Sequence, residues 1–139
     1  MTDATHGEFG YVYTCYDPKI RDQVLAYCNE RFGAENFFFD PDPGAVKNFT
    51  RPENATFTDM VLWKMNLAVK VHPFNVLLLI NHSICGAYAD AGISFTSPEA
   101  ESAYHRTELD RAVVMLAPKF PNVKIEHKFF LKAEQRFKW

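Results

Sequence analysis

Three residues that could bind a metal ion occur in two short motifs. Cys15 lies two positions before Asp17, and His82 and Cys85 lie in a His-Ser-Ile-Cys-Gly stretch. Two thiolates and one imidazole suit zinc, and three protein ligands leave a fourth position open for water, as in catalytic sites. Gly86 would let the chain turn tightly beside such an ion. The sequence therefore suggests one zinc ion held by Cys15, His82 and Cys85.

Other interpretations of the same residues stay open, because motifs this short also occur by chance. Cys15 and Cys85 could be small buried residues of a sheet, and His82 could be a core histidine bonded to a backbone carbonyl. Together with Cys28 the chain has three cysteines, and an odd number argues against a disulfide framework. A domain with redox-active thiols and no metal is a further possibility.

The segments around the two motifs predict strands that alternate with helices. Apolar and aromatic runs predict strands over 9–15, 36–40, 74–80 and 123–131, the last one half-exposed and at an edge. Asp-Pro and Ser-Pro pairs and apolar periodicity predict helices over 18–32, 56–71 and 98–116. The second helix is apolar on most faces and should be well buried, whereas residues 45–55 should form a polar loop.

This order predicts an α/β fold with a parallel sheet between helices. Ligands collect at the carboxyl ends of such strands, and Cys15 and His82 lie at two of these ends. If the two strands are neighbours, the thiols and the imidazole meet. On the third helix, His105 and Glu108 are expected to face solvent.

The composition limits which partners the protein could bind and which cellular compartment it could occupy. The 139 residues suit one domain, 1–139, and the formal net charge of −2 gives no basic surface for nucleic acid. No apolar run approaches the roughly 20 residues of a membrane helix, and the first ten residues do not read as a signal peptide. We expect a cytoplasmic protein that acts on a small molecule.

The two motifs resemble the signatures of β-type carbonic anhydrases, which are C-x-D-x-R and H-x-x-C-G. The resemblance extends over most of the chain and implies a sheet of order 2-1-3-4 and a homodimer or higher homo-oligomer. It also implies one zinc ion per chain bound by Cys15, His82 and Cys85, with Asp17 as the catalytic aspartate. Zinc-bound hydroxide would then hydrate carbon dioxide reversibly to bicarbonate.

The resemblance is incomplete at the position of the family's arginine, which is Lys19 here. Lys19 would hold Asp17 away from the metal, although a lysine offers a point charge where arginine offers a planar fork. Arg21 is the other candidate for this task. Alternative functions are a zinc-binding module with little or no turnover, which senses bicarbonate or serves as a subunit interface, and hydrolysis of a related molecule such as carbonyl sulfide.

Overall fold

Five strands form one sheet in the computed structural model, which describes residues 7–139. They are β1 (Gly10–Cys15), β2 (Phe37–Asp42), β3 (Val76–His82), β4 (Lys124–Leu131) and β5 (Arg136–Phe137). Their order is β2-β1-β3-β4-β5; the first four are parallel, and β5 runs antiparallel to β4. The predicted α/β class and the 2-1-3-4 order are confirmed.

Helices connect the parallel strands. They are α1 (Pro18–Phe32), α2 (Lys47–Thr50), α3 (Ala55–Val71), α4 (Gly86–Asp90) and α5 (Pro98–Leu116). The side chains of Asp17 and Ser97 cap α1 and α5 by accepting backbone N–H groups, and a proline follows each cap, as the sequence predicted. No helix within residues 7–139 is both long and apolar enough to cross a membrane.

The core lies on both faces of the sheet because successive strand residues point to opposite sides. Val12 and Leu78 belong to the cluster that packs against α1, whereas Tyr13 and Leu79 belong to the cluster that packs against α3 and α5. The strand residues between these positions are also buried, so β1 and β3 are covered on both faces. The ends of these two strands are therefore held rigidly.

Three boundaries differ from the prediction. β2 continues through Pro41 to Asp42, because an edge strand tolerates the missing N–H of a proline. The predicted polar loop contains α2, which Phe49 anchors in the core. β4 is half-exposed as expected, but it is not the edge strand, because the short strand β5 pairs with its last two residues.

The predicted burial of the second helix is wrong for most of its apolar residues. Only three residues of α3 are buried, Val61, Met65 and Ala68, and they follow one face at helical spacing. An adjoining face is exposed and apolar. We call it the α3 apolar face; it consists of Phe57, Met60, Trp63, Leu67 and Val71, which are 45–69% exposed.

Candidate metal centre

The three predicted ligands meet at the carboxyl edge of the sheet. Cys15 ends β1 and His82 ends β3, and these strands are adjacent. Cys85 directly precedes α4 and faces Cys15, with 3.9 Å between the two sulfur atoms. One ligand atom from each of the three buried residues lies within 4.8 Å of the others. The condition for their meeting, that the two strands be neighbours, is therefore met, and the three side chains lie together.

The ring of His82 is oriented by its own loop. Its Nδ1 lies 2.7 Å from the carbonyl oxygen of Ser83 and must donate the hydrogen bond, because a carbonyl can only accept. Nε2 then carries a lone pair, and this buried atom has no hydrogen-bond partner among residues 7–139. Buried polar atoms without a partner are rare in proteins and require an explanation. A metal ion bound at Nε2 would provide one.

The two thiols differ in acidity although their sulfur atoms are neighbours. Hydrogen bonding from Cys85 lowers the pKa of Cys15 against the opposing effect of burial, and the N–H of Gly44 lowers it further. The shared hydrogen bond and burial raise the pKa of Cys85. These directions favour a thiolate at Cys15 beside a protonated Cys85. A thiolate is the form that binds metals.

The loop between His82 and Cys85 takes its shape from Ile84. This residue has a φ of 55°, in the left-handed region that a β-branched side chain rarely adopts. Its N–H donates a 2.8 Å hydrogen bond to the carboxylate of Glu101 in α5, which stabilises this conformation. Gly86 lies outside the left-handed region, so the turning role expected for it falls to Ile84.

Asp17 lies beside the three ligands and uses its two carboxylate oxygens differently. Oδ1 accepts the backbone N–H of Lys19 at 2.9 Å, whereas Oδ2 lies 3.9 Å from Nε2 of His82 and 2.7 Å from Nζ of Lys132. Burial acts to raise the pKa of Asp17, but the hydrogen bonds from Lys132 and Lys19 outweigh it, and the pKa is lowered. Asp17 is therefore a carboxylate at neutral pH.

Neither residue proposed from the sequence to hold Asp17 has its charged group there. Lys19 is exposed, and its ammonium group forms no ion pair or hydrogen bond with residues 7–139. Arg21 is exposed and lies 3.7 Å from Asp22 on the surface. The partner is Lys132, in the turn after β4. No local spacing relates positions 17 and 132, so this pairing could not be predicted from the sequence.

An open cleft of about 770 Å³ reaches one of the three ligands, Cys15. Asp17 and Gly86 also line it, and Phe57 and Met60 of α3 form part of its wall. The cleft thus offers a route for a small molecule to the cluster, with apolar side chains along part of it. Because α3 supplies this wall, the cleft borders the α3 apolar face.

A buried polar network lies behind His82. The amide of Asn81 is 3.0 Å from Nδ1 of His105 and donates to the hydroxyl of Tyr88, which donates in turn to Glu108. His105 and Glu108 are fully buried, so their expected exposure on α5 is wrong. Burial lowers the pKa of His105 to about 3, which leaves its imidazole neutral.

The fold is that of the β-carbonic anhydrases. Carbonic anhydrase from Streptococcus mutans is 11% identical, with a TM-score of 0.58 over 99% of this chain and 85% of that one. A mutant of the β-carbonic anhydrase CafD of Aspergillus fumigatus is 13% identical, with a TM-score of 0.63 over 94% of this chain and 87% of that one. The β-carbonic anhydrase CafA of the same fungus is 13% identical, with a TM-score of 0.53 over 96% of this chain and 74% of that one. At this identity the similarity shows the fold alone.

The sequence itself shows the family. Residues 5–138 match the model of the family described as "Putative carbonic anhydrase", and the chain belongs to that family. No curated protein matches the sequence. The resemblance inferred from the two motifs is confirmed at the level of family and fold.

Proposed function

We propose that this protein is a zinc-dependent carbonic anhydrase that interconverts carbon dioxide and bicarbonate. Cys15, His82 and Cys85 would hold the ion, one per chain. The observation that carries the proposal is the buried Nε2 of His82, which has no hydrogen-bond partner among residues 7–139 and faces two sulfur atoms. Membership of the carbonic anhydrase family supports the choice of reaction.

The donor set fits zinc in chemistry and in spacing. Zinc–sulfur bonds of about 2.3 Å at a tetrahedral angle place two sulfurs roughly 3.8 Å apart, and the sulfurs of Cys15 and Cys85 are 3.9 Å apart. His82 presents the correct nitrogen, because its Nδ1 is engaged by a carbonyl. When bound in a site with an open position, zinc lowers the pKa of a coordinated water to about 7.

The chain's own residues would orient and admit the reactants. Oδ2 of Asp17 accepts hydrogen bonds next to the ligand cluster, because its carboxylate stays ionised there. Phe57 and Met60 give the cleft an apolar wall that suits an uncharged linear molecule such as carbon dioxide. Carbonyl sulfide has the same shape, so it belongs among the substrates to be assayed.

A second copy of the chain is the proposed partner. The α3 apolar face exposes 59% of Trp63 and 69% of Val71. Contiguous exposed apolar surface of this kind marks interaction sites. A homodimer that covers this face would also border the cleft, because Phe57 and Met60 belong to both. Light scattering should show a dimer that Trp63→Glu dissociates and that Val114→Glu, on exposed α5 surface, leaves intact.

A cytoplasmic location is part of the proposal. Cys15, Cys28 and Cys85 are all free. Thiolate ligands are preserved in a reducing compartment, where disulfides are rare. Fractionation with the native sequence would test this, and recovery of the protein in an oxidising compartment would contradict it.

A zinc-binding module without turnover is the second candidate. One observation favours it: Oδ2 of Asp17 lies only 3.9 Å from Nε2 of His82. A carboxylate is itself a zinc ligand, so Asp17 as a fourth protein ligand would close the open position. The same fold would then serve in sensing bicarbonate or in subunit contact.

Zinc content and carbon dioxide hydration, measured on one sample, distinguish these candidates. The proposal predicts about one zinc per chain and hydration that Asp17→Asn reduces strongly while zinc is retained. Bound zinc with no hydration between pH 6 and 9 would favour the module. Absence of zinc, with Cys15 and Cys85 freely reactive toward a thiol reagent, would favour a metal-free thiol protein.

A further inference from the structure

The turn between β4 and β5 contacts Asp17, which lies beside the candidate metal centre. Nζ of its first residue, Lys132, is 2.7 Å from Oδ2 of Asp17. The two side chains are only 21% and 14% exposed, so water screens this ion pair much less than a pair on the surface. The contact is therefore strong enough to fix the carboxylate in one orientation.

The turn is fixed to both segments that carry the ligands. The backbone N–H of Lys132 donates a 2.8 Å hydrogen bond to Oγ of Ser83, which follows His82. The side-chain amide of Gln135 donates a 3.0 Å hydrogen bond to the carbonyl of Lys19, in the first turn of α1. Because these bonds hold the turn at both ends, the backbone of Lys132 is held close to Asp17 independently of the ion pair itself.

Oδ2 of Asp17 has two possible partners in this arrangement. One is the ammonium group of Lys132, and the other is a metal ion bound at His82, since only 3.9 Å separates Oδ2 from Nε2. Oδ1 is already engaged by the backbone N–H of Lys19 as a helix cap. Removal of the ammonium group would leave Oδ2 free to rotate toward the ion.

We propose that Lys132 is the positioning residue that holds Asp17 beside the metal ion and keeps its carboxylate from becoming a fourth ligand. This inference rests on the proposed function and assigns Lys132 the task that the sequence analysis assigned to Lys19. Lys132 touches neither the ion nor the substrate in this role. It acts only through Asp17.

The test compares two properties of Lys132→Ala that should change in opposite directions. Carbon dioxide hydration by the zinc-loaded protein should fall about 10–100-fold, as for other residues that orient groups at metal sites. Zinc affinity, measured by competition with a chromophoric chelator, should rise about tenfold because an anionic ligand is gained. A residue that only stabilises the fold would lower both.

Further variants show whether Asp17 causes the changes in zinc affinity and activity of Lys132→Ala. The double variant Lys132→Ala/Asp17→Asn should lose the gain in zinc affinity, because the added ligand is then missing. Lys132→Arg keeps the cation and should restore wild-type zinc affinity and most of the activity. Lys124→Ala removes the same charge from the exposed start of β4 and should change neither property.

Lys19→Ala distinguishes the role of Lys19 from that of Lys132. It should cost much less activity than Lys132→Ala, because the backbone N–H that contacts Asp17 is retained. Lys132→Met keeps the aliphatic part of the side chain and serves as a second variant if Lys132→Ala does not fold. Circular dichroism melting of each variant establishes that it folds.

The outcomes distinguish the inference from the proposed function. A zinc-loaded and active wild type with an unchanged Lys132→Ala, or one that loses affinity and activity together, overturns the role of Lys132 alone. A wild type that binds no zinc overturns both. Opposite changes in affinity and activity, reversed by Lys132→Arg, support the inference.

Discussion

Two polar clusters lie close together at the carboxyl edge of the sheet, and they differ in how completely their polar groups are satisfied. In the first, around Cys15 and His82, a buried ring nitrogen has no partner among residues 7–139. In the second, Lys64 lies 2.7 Å from Asp40 and 2.6 Å from Asp42. Tyr11 and Tyr13 donate to the same two carboxylates.

The second cluster is complete within the chain, whereas the first is not. Two carboxylates share one ammonium and two hydroxyl groups, so the second cluster offers no free group that requires a ligand. The first holds a free lone pair beside two sulfur atoms that lie 3.9 Å apart. Proximity of charged groups alone therefore does not mark a site; the first cluster stands out because its free nitrogen faces two thiols.

Loss of one sulfur from the first cluster should have the largest effect. Cys85→Ser should reduce bound zinc from about one per chain to nearly none and carbon dioxide hydration by at least about 100-fold, because a hydroxyl replaces a thiolate ligand. Cys28→Ala is the matched control, since Cys28 is buried in α1 away from the cluster. Full zinc content in Cys85→Ser would contradict the assigned ligands.

Disruption of the second cluster should affect stability and leave the metal in place. Lys64→Met leaves Asp40 and Asp42 without their cation and should lower the free energy of unfolding by about 1–3 kcal/mol, because the groups are largely buried. Lys70→Met, on an exposed position of α3, should change it little. Urea titration and zinc analysis would measure both effects, and a loss of zinc in Lys64→Met would contradict the separation of the clusters.

The contribution of Lys64 should depend on pH in a defined direction. Burial opposes the charged ammonium, but hydrogen bonds to Asp40 and Asp42 outweigh it and raise the pKa of Lys64 above 10.5. A raised pKa in the folded state means that the stabilisation is complete below the unfolded-state pKa and is lost as pH rises through the folded one. The difference between wild type and Lys64→Met should therefore stay constant from pH 7 to about 9 and shrink at higher pH. A difference that grows with pH would contradict this origin.

The smallest expected effects on stability come from alanine substitutions at two glycines beside the first cluster, which form a closely matched pair. Gly44 has a φ of 75°, and an added Cβ would lie 3.0 Å from the Cβ of Ala87, so Gly44→Ala should destabilise by about 1–2 kcal/mol. A Cβ at Gly86 would meet no atom within 4 Å. Gly86→Ala should therefore change stability by less than about 0.5 kcal/mol, as thermal melting would show. Equal losses would contradict the conformations described.

The parts of the fold that depend on local patterns were predictable from the sequence. The cap and proline at Asp17 and Pro18 set the start of α1, and the apolar run before His82 indicated a strand covered on both faces. Two motifs at strand ends predicted the meeting of Cys15 and Cys85 on the condition that β1 and β3 are neighbours, which the strand order implied by the family resemblance supplied.

The parts that depend on tertiary contacts were not predictable. Lys132 reaches Asp17 only because β4 ends beside the loop after β3, and no spacing in the chain reports this. The apolar residues of α3 did not show which of them the rest of the chain buries; Trp63 is exposed, although the helix that carries it was expected to be well buried. Burial of His105 likewise depends on the network with Asn81.

Zinc-edge X-ray absorption on purified protein, together with its metal content, would show whether the three residues bind zinc. We expect about one zinc per chain, with two sulfur ligands near 2.3 Å and a histidine nitrogen among the remaining ligands. Protein that takes up no zinc, or zinc surrounded only by nitrogen and oxygen, would contradict the assignment of Cys15, His82 and Cys85 as the metal ligands.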